Sequence, residues 1–179
     1  MSIQYVMNKP RIFQSGYFNA VLGCGYTHNR WLEIALEYLP EDLFDQNTKG
    51  FLFTSTVARD ACRVARHYCE TREIILISER ILPDQNVRDE TNPKARYFIY
   101  AVLHEIAHAI GAHRSPLLDN LTKEECEAQE KEADELAIKW FNDHVAKRNN
   151  EQLLPITKGE IKEAQEKNQI IMKKLMDGI

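Results

Sequence analysis

The chain contains no run of apolar residues near the ~18 that a membrane span needs, so no transmembrane helix is expected. Cysteine is sparse. Cys24, Cys62, Cys69 and Cys126 are the only four in 179 residues, and none stands in a Cys-x-x-Cys pair. That usage argues against a disulfide framework and a cysteine-type zinc knuckle, and suits reduced thiols in a cytoplasm. Positive charge is not in excess either: the formal net charge is −4 and the pI near 5.9, so nothing draws the chain as a whole to nucleic acid or to an anionic membrane. Repeats and low-complexity tracts are missing, which removes the repeat architectures. Val21-Leu22-Gly23-Cys24 looks something like a lipidation site with Lys9 and Arg11 upstream, but Gln14, Ser15 and Asn19 interrupt the apolar core such a signal requires. With 44% hydrophobic and 28% charged residues, the composition predicts one soluble, cytoplasmic domain over 1–179.

Histidine is also scarce, which makes the placement of two of the six conspicuous. Within Tyr97 to Gly111 the chain reads His104-Glu105-Ile106-Ala107-His108, an H-E-x-x-H pattern. On a helix, residues four apart stack on one face with Cβ atoms roughly 5–6 Å apart. Two imidazole nitrogens can then meet one zinc ion, and Glu105 falls beside the metal's open position, where it could take a proton from a bound water. The helix is well signalled. Asn92 is a good N-cap, Pro93 suits the first turn, and Gly111 can supply a left-handed residue at the end. Phe98, Ala101, Val102, Ile106, Ala109 and Ile110 predict burial on more than one side.

A catalytic zinc usually has three protein ligands and a water, so a third is needed. A capping box, Thr122-Lys123-Glu124-Glu125, opens a long helix whose apolar positions run through Ala133, Leu136, Ala137, Trp140, Phe141 and Val145 to about residue 146. On it Glu130 and Asp134 project together. Glu130 could bind the metal while Asp134 accepts the other ring N–H of a histidine ligand and fixes its tautomer. Glu127, about one turn earlier, and Glu132, about 200° around, are alternatives for the third ligand.

His-Glu-x-x-His followed some twenty residues later by Glu130-Lys131-Glu132-Ala133-Asp134 resembles the gluzincin metallopeptidases, thermolysin-like and HtpX-like enzymes among them. The resemblance covers about residues 97–142. Carried over by position, it implies His104, His108 and Glu130 on zinc, Glu105 as general base, and Asp134 behind a histidine. Small intracellular ImmA/IrrE-like members have Asn in the place of Asp134, so this chain leans toward the first-named enzymes. The longer metzincin pattern would put a third His at 114, which is Arg114; His113 misses that register and reads as a loop histidine facing substrate. His113 and Tyr100 are also the candidates for stabilising an oxyanion.

Elsewhere the periodicity predicts a helix capped by Asn29 with Trp31, Leu32, Ala35, Leu36 and Leu39 on its core face, stopped by Pro40. Residues 1–28 suggest short extended pieces. Phe51 to Thr56 and Glu73 to Ser78 read as strands, the second buried. Val57, Ala61, Val64, Ala65 and Tyr68 recur at helical spacing and predict a short helix between them, with His67 on its surface. Thr157 and Glu160 form another capping box, opening a last helix with Ile161, Ala164, Asn168, Ile171 and Leu175 along one stripe. The expected fold is α+β and zincin-like: a small sheet on the H-E-x-x-H helix, a second Glu-bearing helix and a C-terminal helix. In zincins the edge strand binds an extended substrate. The function this predicts is zinc-dependent hydrolysis of a peptide or protein substrate, with no nucleic acid or membrane partner. The alternative is a catalytically weak zincin-fold protein that regulates or binds one dedicated partner.

Overall fold

The computed structural model describes residues 26–40, 43, 51–56, 60–64, 73–116, 118–148 and 150–177. They form an α+β fold of four α-helices and a three-stranded sheet. The expected extended pieces up to residue 25, and His67, lie outside the described residues.

Helix α1 spans Tyr26–Glu37 and buries Trp31, Leu32, Ala35 and Leu36. It starts earlier than the Asn29 cap signal placed it, so Asn29 lies inside the helix and residues 26–28 are helical rather than extended. Capping preference is worth only ~1 kcal/mol, and a buried apolar face extending from Trp31 to Leu36 outweighs it.

Strands β1 (Phe51–Thr56), β2 (Ala61–Val64) and β3 (Glu73–Ser78) lie in the order β1-β3-β2. β3 is central, as its continuous apolar run requires. It pairs parallel with β1, Phe53 beside Ile75, and antiparallel with β2, Arg63 beside Ile75. β2 corrects the expected short helix around Ala61 and Val64. Helical spacing over so few residues is a weak signal, and ladder bonds to a well-formed central strand override it. On β2 Arg63 takes an interior position, where its Nη1 lies 3.3 Å from Glu73 Oε2 with both side chains nearly inaccessible.

Helix α2 (Pro93–Ile110) is the hub, packing against α1, β2, β3 and both later helices. Asn92 Oδ1 accepts the Lys94 N–H at 2.9 Å, and Pro93 occupies the first turn. Tyr97, Phe98, Ile99, Tyr100, Val102, Leu103 and Ile106 are all buried. At its end Gly111 is right-handed (φ −68°, ψ −4°), and Ala112 takes the left-handed conformation instead (φ 51°). The glycine is required for another reason: a Cβ there would sit 2.5 Å from His113 Nε2, so the imidazole lies directly over its backbone.

Helix α3 (Lys123–Arg148) begins with the full capping box: the Thr122 N–H donates to Glu125 Oε2 at 2.8 Å and the Glu125 N–H to Thr122 Oγ1 at 3.1 Å. Ala133, Ala137, Trp140, Phe141 and Val145 are its buried positions. Helix α4 (Lys158–Asp177) has half a box. The Glu160 N–H donates to Thr157 Oγ1 at 3.2 Å, whereas the Glu160 carboxylate takes a bidentate bond from the buried Arg96, at 2.5 and 3.1 Å. Arg96 also donates to the carbonyls of Leu154 and Pro155, and so ties the α3–α4 connection to α2. Ile161 is buried but Ile171 is 48% exposed, so the expected stripe leaves the core toward the helix end; the Leu175 side chain lies outside the described residues. No described helix is long and apolar enough to cross a membrane.

Candidate metal centre

The helical rise places His104 and His108 one turn apart on α2, facing α3. Their Nε2 atoms are 3.0 Å apart and the rings meet edge to face. Glu130 reaches in from α3: one carboxylate oxygen is 3.4 Å from His104 Nε2 and the other 3.5 Å from His108 Nε2. These three residues each offer one ligand atom within 4.8 Å of the others, and they are the one such group found among the described residues. They could hold a metal ion.

Each imidazole has a partner on its far side. His104 Nδ1 lies 3.0 Å from Asp134 Oδ1, which also accepts a short hydrogen bond from the Tyr100 hydroxyl. Tyr100 is therefore engaged behind His104, one helical turn away, instead of standing free as an oxyanion donor. His108 Nδ1 lies 2.8 Å from His113 Nδ1. His113 is 6% exposed, and does not line the cleft, so it does not face substrate as its loop position suggested. Its role is not legible from the motif. The available signal was its position two residues beyond Gly111, where the chain folds back over the last turn of α2.

The electrostatics follow from these contacts. Burial pulls His104 toward neutrality, but hydrogen bonds to Asp134 and Glu130 and the charge of Glu105 overcome it and raise the imidazole to about 10. Burial lowers His108; a hydrogen bond to Glu130 opposes this and the charge of His104 adds to it. Hydrogen bonds from both imidazoles hold Glu130 far below the usual carboxylate range. Asp134 is lowered too: burial opposes this, but the bonds to His104 and Tyr100 prevail. The Tyr100 phenol, raised by burial and by Asp134, stays a proton donor. Without a metal, the cluster holds its extra proton on His104.

Neither alternative acid is in the ligand group. Glu127 is exposed and 3.6 Å from Lys123, and Glu132 lies against His113 Nε2 at 3.3 Å. Arg114, in the metzincin histidine's register, binds α3 through Gln129 and Glu125.

The cluster sits on the floor of a cleft of about 880 Å³. Glu105, itself buried, lines it beside the histidines. One wall is β2, through Ala61, Cys62 and Arg63, and another is α4, through Gln165, Asn168 and Gln169. Asp60 joins the two walls: its carboxylate accepts from Asn168 at 2.9 Å and from Tyr97 at 2.8 Å, and lies 3.5 Å from Arg80.

No curated protein and no solved structure matches the chain. A family model does. The model of Peptidase U49 matches residues 82–172, just over half of the chain, and that span holds both histidines, Glu105, Glu130 and Asp134. A metal-binding geometry at the bottom of a cleft is what a hydrolase of peptide bonds can use, and the chain belongs to the Peptidase U49 family and is a peptidase.

Proposed function

We propose that the chain is a zinc-dependent metallopeptidase of gluzincin type, with His104, His108 and Glu130 as the metal ligands and Glu105 as general base. The observation that carries this reading is the convergence of two imidazole Nε2 atoms and one carboxylate, 3.0 to 3.5 Å apart, beneath a cleft. Ligand atoms about 2.0–2.1 Å from a tetrahedral zinc lie roughly 3.3 Å from one another, so these spacings fit the ion, and two nitrogens with one oxygen form a donor set zinc accepts. When bound, zinc supplies Lewis acidity, polarising the scissile carbonyl and making water acidic near neutral pH.

The chain's own residues supply the rest. Glu105 takes the proton of the attacking water and returns it to the leaving amine, a role worth ~10²–10⁴ in rate. Asp134 holds His104 by its Nδ1, and the Tyr100 hydroxyl holds Asp134, which keeps the ring oriented. Among the described residues no strand pairs with the outer edge of β2, and that strand lines the cleft. An extended peptide would add to β2 by main-chain hydrogen bonds, with α4 as another wall.

The test is hydrolysis of a mixed peptide library by the purified protein, with zinc content measured in parallel. Cleavage should stop on adding a chelator and return with zinc. Glu105→Gln should abolish it while one zinc per chain is retained. A wild-type protein that takes up no zinc when zinc is offered would overturn the reading.

A further inference from the structure

We propose that His113 is a positioning residue of the metal centre: its Nδ1 accepts the Nδ1 proton of His108 and thereby fixes His108 with Nε2 toward the metal. The inference rests on reading His104, His108 and Glu130 as metal ligands, and extends it to a residue that the H-E-x-x-H motif does not contain.

The tautomers follow from the geometry. His108 Nε2 faces His104 and Glu130, and its Nδ1 faces His113 Nδ1 at 2.8 Å. A nitrogen that binds a metal must offer a lone pair, so the proton of His108 sits on Nδ1. Among the described residues, the atom placed to accept that proton is His113 Nδ1. His113 is then neutral with its own proton on Nε2, which lies 3.3 Å from Glu132 Oε2 but makes no hydrogen bond. One arrangement of protons thus pairs the two Nδ1 atoms.

The molecule invests a good deal in holding His113 there. The ring is 6% exposed and lies over Gly111, the one residue type whose backbone leaves room for it. Ala112 takes the left-handed conformation to turn the chain, at a cost of ~1 kcal/mol. The His113 N–H donates to the His108 carbonyl at 3.0 Å. Its own carbonyl accepts a short hydrogen bond from Arg63, whose guanidinium is buried and pairs with Glu73 on the central strand. The sheet, through Arg63, thus grips the loop that orients His108. Because Arg63 also lines the cleft on β2, one side chain spans the substrate wall and the metal-ligand support.

Two measurements test this on the full chain. The first is the zinc dissociation constant of wild type, His113→Phe and His113→Asn by competition with a chromophoric chelator, with the visible spectrum of the cobalt-substituted proteins. His113→Phe keeps a ring but offers no acceptor; it should weaken zinc ~10–100-fold and alter the cobalt bands, and His113→Asn, whose amide oxygen can accept, should recover part of the loss. The second needs no variant: long-range nitrogen–proton correlation spectra of the zinc-loaded wild type should show His108 protonated on Nδ1 and His113 neutral, protonated on Nε2. Tight zinc binding by His113→Phe with unchanged cobalt bands would overturn the inference, and so would a His113 carrying its proton on Nδ1. A wild type that binds no zinc would overturn the metal-centre reading itself, which is a different result.

Discussion

Loading the centre with zinc at neutral pH is expected to expel about one proton. The perturbation is metal uptake, and the proton comes from His104, whose contacts with Asp134 and Glu130 raise it to about 10 in the metal-free protein. A protonated imidazole cannot ligate, so zinc must displace that proton. At pH 7 the protonated form outweighs the neutral one by about three decades, which costs roughly 4 kcal/mol of intrinsic zinc affinity. His108 contributes little because burial and its neighbours lower it below the ordinary histidine value. The sign is definite. Apparent affinity should rise with pH, by close to tenfold per unit from pH 7 and flattening as pH approaches 10. Titration calorimetry in buffers of different ionisation enthalpy gives the proton count directly, and chelator competition from pH 6.5 to 9 gives the slope. Zinc uptake at pH 7 with no net proton release, or an affinity that does not move with pH, would refute the reasoning, because His104 would then be neutral before the metal arrives.

The contributions of His104, Glu130 and Asp134 to the stability of the metal-free protein should all be present together only between about pH 4.5 and 6.5, with that of the lowered His108 greatest at the upper end. The raised His104 stabilises fully below the unfolded value of 6.5 and loses that contribution as pH climbs toward 10, whereas Glu130 and Asp134, held low, contribute above their ordinary range and lose it as pH falls below it. Scanning calorimetry of chelator-treated protein from pH 3 to 9 checks this, and a midpoint that keeps rising to pH 8 would contradict it. Gly111→Ala puts a methyl group 2.5 Å from His113 Nε2 and 2.8 Å from Cδ2. Because the ring is buried it must move, at a cost of ~1–3 kcal/mol measured by urea denaturation, and an unchanged stability would show the loop to be softer than it looks. Ala133→Leu fills a fully buried position on α3 and forces it away from α2, so it should lower stability by ~1–3 kcal/mol and weaken zinc binding together; loss of stability alone would mean that Glu130 reaches the site regardless of helix separation.

What the sequence disclosed here is what a few neighbouring residues decide among themselves. Asn92 caps α2 by bonding the Lys94 N–H, and Thr122 with Glu125 caps α3, so both boundaries can be read locally. The i, i+4 spacing that aligns His104 with His108 also aligns Glu130 with Asp134, and the fold brings those four side chains within contact of one another. β2 was hidden because its conformation is settled by β3: Ala61 through Val64 gain their hydrogen bonds from Ile77 back to Ile74, whereas their own spacing favours a helix. Arg63 was hidden with it, since a guanidinium is buried only where Glu73 and the carbonyl of His113 meet it, and nothing near Arg63 in the chain announces either. His113 depends on both of these distant facts and on the missing side chain of Gly111.

Helix α3 divides its acids between the two nitrogens of one ring. Glu130 and Asp134 are one turn apart on the same face, yet they address opposite nitrogens of His104: Glu130 approaches Nε2 and Asp134 approaches Nδ1. Ala133 and Ala137 are fully buried on this helix, and small residues let α2 and α3 pack closely. Glu132, between them and pointing elsewhere, finds the third ring of the row, His113. One acidic helix thus serves three imidazoles, and it can do so because α2 and its terminal loop present those rings in line, with adjacent centroids 4.6 and 4.9 Å apart. A helix that reads as a solvated run of charges thus buries Ala133 and Ala137 while its acids meet those rings.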